Sequence, residues 1–244
     1  MAPPKRIKLP EINCDLGEGC ANDSEVFSLI DVASLACGGH TGSAESIDSS
    51  LQLAAKFGVK VGAHPSYADK ENFGRLSLSL SKEELEHQLD EQLSLFLQVC
   101  RKNGVSMDHI KFHGALYNDA AASASLADIL ASYLKKNFPV TPVLVPPHSM
   151  MHQEVRKKKL PFRLEVFADR GYLNTYHLAP RSQQGALLTT LSEVATQVAQ
   201  ILEEGILTSL TREKLPIQAD TLCFHGDNPG IMEFLPQLRK RFWK

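Results

Sequence analysis

The sequence predicts an α/β protein built on a parallel sheet, and three observations support this fold class. Short apolar segments alternate along the chain with longer segments whose apolar residues recur at helical spacing. Most of the short segments are continuously apolar, as in parallel strands that are buried on both faces. No linker interrupts the 244 residues. We therefore expect one domain, residues 1–244, in which successive β/α units either close into a barrel or form an open, doubly wound sheet.

Seven apolar segments are predicted as strands. They are residues 10–14, 32–37, 59–63, 109–112, 140–145, 162–167 and 221–224. Helices are predicted between them at residues 43–57, 81–104, 124–136 and 191–204. Ser81 and Glu84 have the spacing of a capping box at the start of the second of these helices. Residues 205–220 show no clear period and are predicted as a loop or a short hairpin.

Composition and charge narrow the class of protein. With 26 basic and 28 acidic residues, the chain gives no electrostatic reason to expect binding to nucleic acid. No segment approaches the ~18 apolar residues of a membrane helix. Residues 1–10 carry basic side chains without the apolar core of a signal peptide. The five cysteines lack metal-site spacing, so we expect a cytoplasmic protein with reduced thiols.

Ionisable side chains follow most of the predicted strands at the point where each strand ends. A lone histidine in such a position is usually structural. However, the carboxyl ends of parallel strands meet at one edge of the sheet, so these groups converge in one cavity. Burying so many polar groups is unfavourable unless they pair, bind a metal or face a substrate. The residues predicted to be catalytic are Asp15, His40, His64, His113, Asp169, His225 and Asp227.

Other candidates carry weaker signals. His148 also ends a predicted strand, whereas His87, His109, His152 and His177 are predicted to be structural. The turn that contains Gly38, Gly39, Gly42 and Ser43 joins a strand to a helix start, where backbone N–H groups can hold an anion. No Walker-type phosphate loop occurs in the sequence. The alternative interpretation is a tight turn with Ser43 as the helix N-cap.

At these strand ends the chain resembles the LamB/YcsF family. Any one of the matching segments is modest evidence, but they occur in the family's order and span nearly the whole chain. The matching segments are residues 13–18 (NCDLGE), 36–40 (ACGGH), 62–67 (GAHPSY), 73–75 (FGR), 111–118 (KFHGALYN), 167–172 (FADRGY) and 223–227 (CFHGD).

The resemblance implies a fold and an activity. The fold is a seven-stranded parallel β/α barrel, similar to a TIM barrel and related to the carbohydrate deacetylases. The activity is that of the first of three components of an ATP-dependent 5-oxoprolinase, which opens 5-oxoproline to glutamate with ATP and Mg²⁺. Two partner subunits, B and C, complete such an enzyme. Assembly of the chain into a homo-oligomer stays open.

The same resemblance suggests roles for particular residues. Asp15 and His64 are the first candidates for a general base. The residues expected to bind substrate are Asn13, Arg75, Lys111, Tyr117 and Arg170. Among these, the cationic side chains suit a carboxylate or a phosphoryl group. The turn at residues 38–43 is the expected nucleotide site.

A metal is the main alternative. Asp15, His64 and His113 occupy positions where related deacetylases place a metal-binding Asp-His-His set, and such a set can activate water. A hydrogen-bonded Asp–His network explains the same residues without an ion. Three functions therefore stay open: one component of a 5-oxoprolinase, a stand-alone metal-dependent deacetylase or amidohydrolase, and a non-catalytic protein that binds substrate for a partner.

Overall fold

The computed structural model describes residues 9–243, so residues 1–8, which include most of the segment examined for a signal peptide, and residue 244 lie outside it. The strands are β1 (Glu11–Leu16), β2 (Val32–Ala36), β3 (Lys60–His64), β4 (Val143–Val145), β5 (Phe162–Phe167), β6 (Ile206–Thr208), β7 (Lys214–Pro216) and β8 (Thr221–His225). Six of them form one parallel sheet in the order β3-β2-β1-β8-β5-β4. The strands β6 and β7 form a separate antiparallel hairpin.

One residue joins the two edges of the sheet. Ile110 makes parallel bridges to Ala63 of β3 and to Val143 of β4. On one side, the Lys111 N–H donates to the Ala63 carbonyl at 3.0 Å, and on the other the Leu144 N–H donates to the Ile110 carbonyl at 3.0 Å. The sheet therefore curls into a barrel, which confirms the predicted parallel β/α barrel and excludes the open sheet.

The parallel sheet contains six strands, and not the seven that were predicted. The segment 109–112 is reduced to the single bridging residue Ile110, because the chain turns away two residues after Lys111 and enters a helix at Gly114. The predicted strand at 140–145 also begins later, at Val143. Val140 is 84% exposed, so it lies outside the barrel.

Helices cover the barrel and include all four that the sequence predicted. They are α1 (Asp23–Phe27), α2 (Ala44–Phe57), α3 (Lys82–Lys102), α4 (Gly114–Ala122), α5 (Ala124–Asn137), α6 (Met150–Lys157), α7 (Leu191–Ala199, continued by a π-helical turn at Gln200–Glu204) and α8 (Ile231–Phe242). The capping box at the start of α3 is formed, with the Ser81 N–H donating to Glu84 Oε2 at 2.8 Å. Of the two predictions for residues 205–220, the hairpin is correct. Within residues 9–243, no helix is long and apolar enough to cross a membrane.

His109 is a structural residue at the amino end of the barrel, as predicted. Its ring is fully buried beside Ser34, whose hydroxyl lies 3.0 Å from His109 Nε2. Its other ring nitrogen contacts Asp108, which binds Arg163 through both carboxylate oxygens. Gly62 of β3 packs against the face of the ring, and a Cβ atom there would overlap it.

We predict that Gly62→Ala lowers the free energy of unfolding by about 1–3 kcal/mol, because the added methyl group overpacks a filled site. Urea unfolding measures this loss. In a His109→Ala background the added methyl group meets no imidazole ring. The further loss of unfolding free energy caused by Gly62→Ala should therefore be small there. An equal loss in both backgrounds would contradict the proposed overlap.

Candidate active site

A cavity of about 520 Å³ opens where the strands of the barrel end. Nine of the residues predicted for the site line it, and three more lie behind these. The lining residues are Asp15, His64, Arg75, Lys111, His113, Tyr117, Arg170, His225 and Asp227, whereas Asn13, His40 and Asp169 do not line it. The predicted convergence of strand ends on one cavity is therefore present.

The floor of the cavity is a buried ammonium group. The side chain of Lys111 is 2% exposed, and its Nζ lies 2.7 Å from Asp15 Oδ1 and 2.9 Å from Glu165 Oε1. Burial alone would lower the pKa of Lys111, but the charges of Asp15 and Glu165 raise it well above its ordinary value. Lys111 is therefore a permanent cation at neutral pH. It is unsuited to act as a base.

The carboxyl group of Asp15 is ionised because of the groups beside it. Burial alone would raise the pKa of this carboxyl group, but the charges of His64 and Lys111 hold it well below its usual range. Its second oxygen, Oδ2, lies 3.3 Å from His64 Nε2. Asp15 thus connects the buried ammonium group to the histidines at the cavity wall.

Two backbone carbonyl groups fix the orientation of these histidines. His64 Nδ1 donates to the Lys111 carbonyl at 2.8 Å, and His113 Nε2 donates to the Phe73 carbonyl at 3.0 Å. A carbonyl oxygen can only accept, so both of these ring nitrogens carry a proton. The remaining nitrogens, His64 Nε2 and His113 Nδ1, face each other at 3.0 Å. Because two lone pairs repel at this distance, either a proton or a cation must lie between them.

Glu18 completes a possible metal-binding set. Its Oε1 lies 3.4 Å from His113 Nδ1 and 3.9 Å from His64 Nε2. Ligand atoms of Glu18, His64 and His113 all lie within 4.8 Å of one another, which suits two imidazoles and a carboxylate around one divalent ion. The sequence predicted Asp15 as the carboxylate of this set. In the structure Asp15 lies beside the set, and one of its oxygens accepts from Lys111.

The surroundings of the set resemble those of a metal centre. His40 Nε2 lies 3.0 Å from Glu18 Oε1, and the His40 ring stacks on His113 with 3.6 Å between ring centres. Burial and the neighbouring histidines lower the pKa of His113 well below its ordinary value. A neutral imidazole is the form that binds a metal. His40 therefore supports the set from behind and does not reach the cavity.

The carbonyl that orients His113 belongs to a strained turn. Phe73 has a φ of 56° and Gly74 a φ of 63°, both in the left-handed region. A side chain at Gly74 would crowd His40 and His113. Backbone strain of this kind persists where the surrounding structure requires it. The turn holds the Phe73 carbonyl against the histidine.

A second buried pair lies on the other side of the cavity. Asp169 is fully buried, and its Oδ1 lies 2.7 Å from His225 Nδ1. Its Oδ2 accepts from the His225 N–H and from Asn228 Nδ2, at 3.0 and 2.9 Å. Burial alone would raise the pKa of Asp169, but His225 and these hydrogen bonds lower it. Asp169 therefore orients His225, which lines the cavity.

Four further candidates, Asn13, Asp227, Arg170 and His148, have partners of their own in the protein. Asn13 Nδ2 donates to Thr221 Oγ1 inside the barrel. Asp227 lies at the mouth and pairs with Arg75 and Arg181. Arg170 donates to two backbone carbonyl groups and so holds a loop. His148 is exposed and contacts Tyr176 outside the cavity.

The predicted anion cradle is not placed at the cavity. None of Gly38, Gly39, Gly42 and Ser43 lines it. The Gly38 N–H donates to the Thr41 carbonyl, and the Ser43 N–H donates to Ser46 Oγ in a capping box. The alternative interpretation, a tight turn with Ser43 as N-cap, is the one observed. Two N–H groups of the turn are therefore bonded within residues 38–46, and the residues of the turn lie outside the cavity.

The sequence analysis did not identify three residues in or beside the cavity, which are Glu18, Glu165 and Arg181. Glu18 lies inside a matching segment, so that segment was a usable signal. Glu165 is a fully buried charge in β5, and its presence in an otherwise apolar strand was a second signal. Arg181 follows β5 by many residues in a loop, and no local pattern marks it.

Together, the barrel and its polar cavity define a β/α-barrel protein with an enzyme-like site at the carboxyl ends of its strands. The sequence matches the LamB/YcsF family over residues 10–244, and the chain belongs to this family. It is also similar to a solved structure, that of the lactam utilization protein from Thermus thermophilus. The two share 33% sequence identity with a TM-score of 0.86, over 95% of this chain and 96% of the other.

We predict that Glu18, His64 and His113 bind one divalent ion. After incubation with Zn²⁺ and extensive dialysis, elemental analysis should find about one ion per chain. His113→Ala should lose it, because two ligands rarely retain a metal. His87→Ala, at an exposed histidine on α3, is the control and should keep it. Equal metal content in both variants, or none in the unaltered protein, would favour a proton between the two rings.

We predict that Lys111→Met lowers the free energy of unfolding by about 3–5 kcal/mol, since it leaves two buried carboxylates without a counter-charge. Urea unfolding at pH 7 measures this change. Lys102→Met is the control, because Lys102 pairs with Asp48 at the exposed surface, where such pairs contribute about 0–1 kcal/mol. A loss of similar size in the two variants would show that the buried cluster contributes little.

Proposed function

We propose that this chain is the lactam-binding and ring-opening subunit of an ATP-dependent 5-oxoprolinase, which converts 5-oxo-L-proline to L-glutamate. The observation that carries the proposal is the arrangement of Asp15, His64 and Lys111 on the floor of one cavity. Membership in the LamB/YcsF family and the similarity to a protein titled for lactam utilization support it.

Hydrolysis of a lactam ring has three catalytic requirements. The attacking water must lose a proton, the carbonyl oxygen must be stabilised as it becomes negative, and the ring nitrogen must gain a proton as the C–N bond breaks. An amide resists the attack of water because resonance makes its carbonyl carbon a weak electrophile. A site for this reaction therefore combines a proton carrier with a fixed positive charge.

The cavity contains groups for each task. Asp15 is ionised, and its Oδ2 lies 3.3 Å from His64 Nε2. In the chain without a bound ion, His64 Nε2 is the group that takes a proton from water and returns one to the ring nitrogen, because Nδ1 already donates to the Lys111 carbonyl. Lys111 lines the cavity as a permanent ammonium and offers positive charge to the carbonyl oxygen. Tyr117 also lines the cavity, and its buried hydroxyl lies beside Glu165.

We assign the binding and hydrolysis of ATP to the partner subunits B and C. No residue of the turn at 38–43 lines the cavity, and the sequence has no Walker-type loop. The coupling to ATP would therefore take place on the partners, and this chain would supply the lactam site and the water.

The second candidate is a stand-alone, metal-dependent amidohydrolase or deacetylase. It is favoured by one observation, the grouping of Glu18, His64 and His113. A divalent ion bound there would supply Lewis-acid activation of water. This function requires no nucleotide and no partner chain.

We predict that the chain releases glutamate from 5-oxoproline only in a mixture with subunits B and C, ATP and Mg²⁺. Asp15→Asn should lower the rate at least about 100-fold, because it removes the carboxylate that contacts both His64 and Lys111 on the cavity floor. Coupled detection of glutamate measures the rate, and circular dichroism checks the fold of each variant. Asp48→Asn, on the exposed face of α2, is the matched control and should be fully active.

Two results would contradict this account. Full activity of Asp15→Asn would remove Asp15 from the mechanism. Turnover of a cyclic amide or an acetylated sugar by the isolated chain, with metal but without ATP, would favour the second candidate.

A further inference from the structure

Two arginines at the mouth of the cavity share one carboxylate. Arg75 Nη2 lies 2.7 Å from Asp227 Oδ2, and Arg181 Nη1 lies 3.1 Å from the same oxygen. Arg181 Nη2 also donates to Asp227 Oδ1 at 3.4 Å. All three residues line the cavity. Two guanidinium groups therefore converge on a position that a single carboxylate occupies.

Different local structures position Arg75 and Arg181 at the cavity mouth. Arg75 follows the strained turn of Phe73 and Gly74, and its guanidinium group packs over the Phe73 ring at 4.9 Å. Arg181 lies in the loop that follows β5. Arg170 holds this loop by donating from Nη2 to the Ala179 carbonyl at 2.7 Å and from Nε to the Ala186 carbonyl at 2.9 Å.

A second feature of this loop requires a glycine. A Cβ atom at Gly171 would overlap the Gly185 carbonyl, so only glycine lets the two ends of the loop approach this closely. Together with the hydrogen bonds of Arg170, this contact fixes the base of the loop that carries Arg181. The position of the second guanidinium group is therefore built into the fold.

Charge is distributed unevenly along the cavity. Near the mouth, Arg75 and Arg181 share the carboxylate of Asp227, and Arg170 also lines the cavity. This end carries an excess of positive charge, and the Arg75–Asp227 and Arg181–Asp227 pairs are about one third exposed. Water screens such pairs, so each contributes little and an incoming anion can compete with Asp227. The positive excess favours an anionic group at the mouth.

We propose that Arg75 and Arg181 form a carboxylate subsite that selects lactams bearing a carboxylate next to the ring nitrogen. The inference rests on the proposed function and assigns the residues that recognise the substrate carboxylate. The substrate carboxylate takes a place beside the two guanidinium groups, in bidentate contact with at least one of them. The lactam carbonyl then points inward to Lys111 and His64. Arg181 and Arg75 therefore set both specificity and orientation.

Calorimetric titration of the full chain tests this assignment with two ligands. The first is 5-oxoproline, and the second is 2-pyrrolidinone, which lacks only the carboxylate. The unaltered protein should bind 5-oxoproline at least about tenfold more tightly, because charge-assisted bonds to a carboxylate are strong. Arg181→Met should remove this preference and leave the affinity for 2-pyrrolidinone unchanged, and Arg181→Lys should restore part of it. Arg101→Met, at an exposed arginine on α3, is the control and should behave like the unaltered protein.

The outcomes separate this inference from the proposed function. An undiminished preference in Arg181→Met, or no binding of 5-oxoproline by the unaltered protein, would overturn the subsite. Arg181-dependent binding of inorganic phosphate without binding of 5-oxoproline would also overturn it, in favour of a phosphoryl site. Arg181-dependent binding of 5-oxoproline by a chain that forms no glutamate with its partners would support the subsite and contradict the proposed function.

Discussion

The site depends on the ammonium group of Lys111, held between Asp15 and Glu165 inside the barrel. A buried charge is strongly unfavourable unless it is paired, and here one cation stabilises two buried anions that come from β1 and β5. The backbone of the same residue also accepts the hydrogen bond that orients His64. Lys111 thus sets the ionisation of Asp15 and the orientation of the histidine beside it.

The rest of the cavity divides into two regions with different tasks. The inner region combines Asp15, His64 and Lys111 with the grouping of Glu18 and His113, and its groups are buried and fixed by hydrogen bonds. The mouth consists of loops with partly exposed arginines. Rigid inner groups suit chemistry, whereas exposed charges suit the capture and orientation of an ion. A substrate with a carboxylate at one end and an amide at the other matches this division.

The sequence was sufficient for features that depend on local patterns. The strand ends followed by Asp15, His64 and His113 were identified because parallel strands place their carboxyl ends together. Features that depend on distant contacts were missed. Glu165 pairs with a lysine 54 positions earlier, as their numbering shows, and Arg181 reaches the mouth only through a loop held by Arg170. For the turn at residues 38–43, the sequence could not show that the N–H groups of Gly38 and Ser43 are bonded within residues 38–46 or that the turn lies outside the cavity.

The most direct test of this account is the protonation state of Lys111 across the pH range of activity. Heteronuclear NMR with ¹⁵N- and ¹³C-labelled lysine, with the signal assigned by its loss in Lys111→Arg, reports this state at Nζ. The account predicts one ammonium signal that is protected from solvent and does not titrate between about pH 5 and pH 9, since Asp15 and Glu165 raise the pKa of this group. A signal that titrates to a neutral amine within that range would contradict it, because Asp15 would then lose the cation that keeps it ionised.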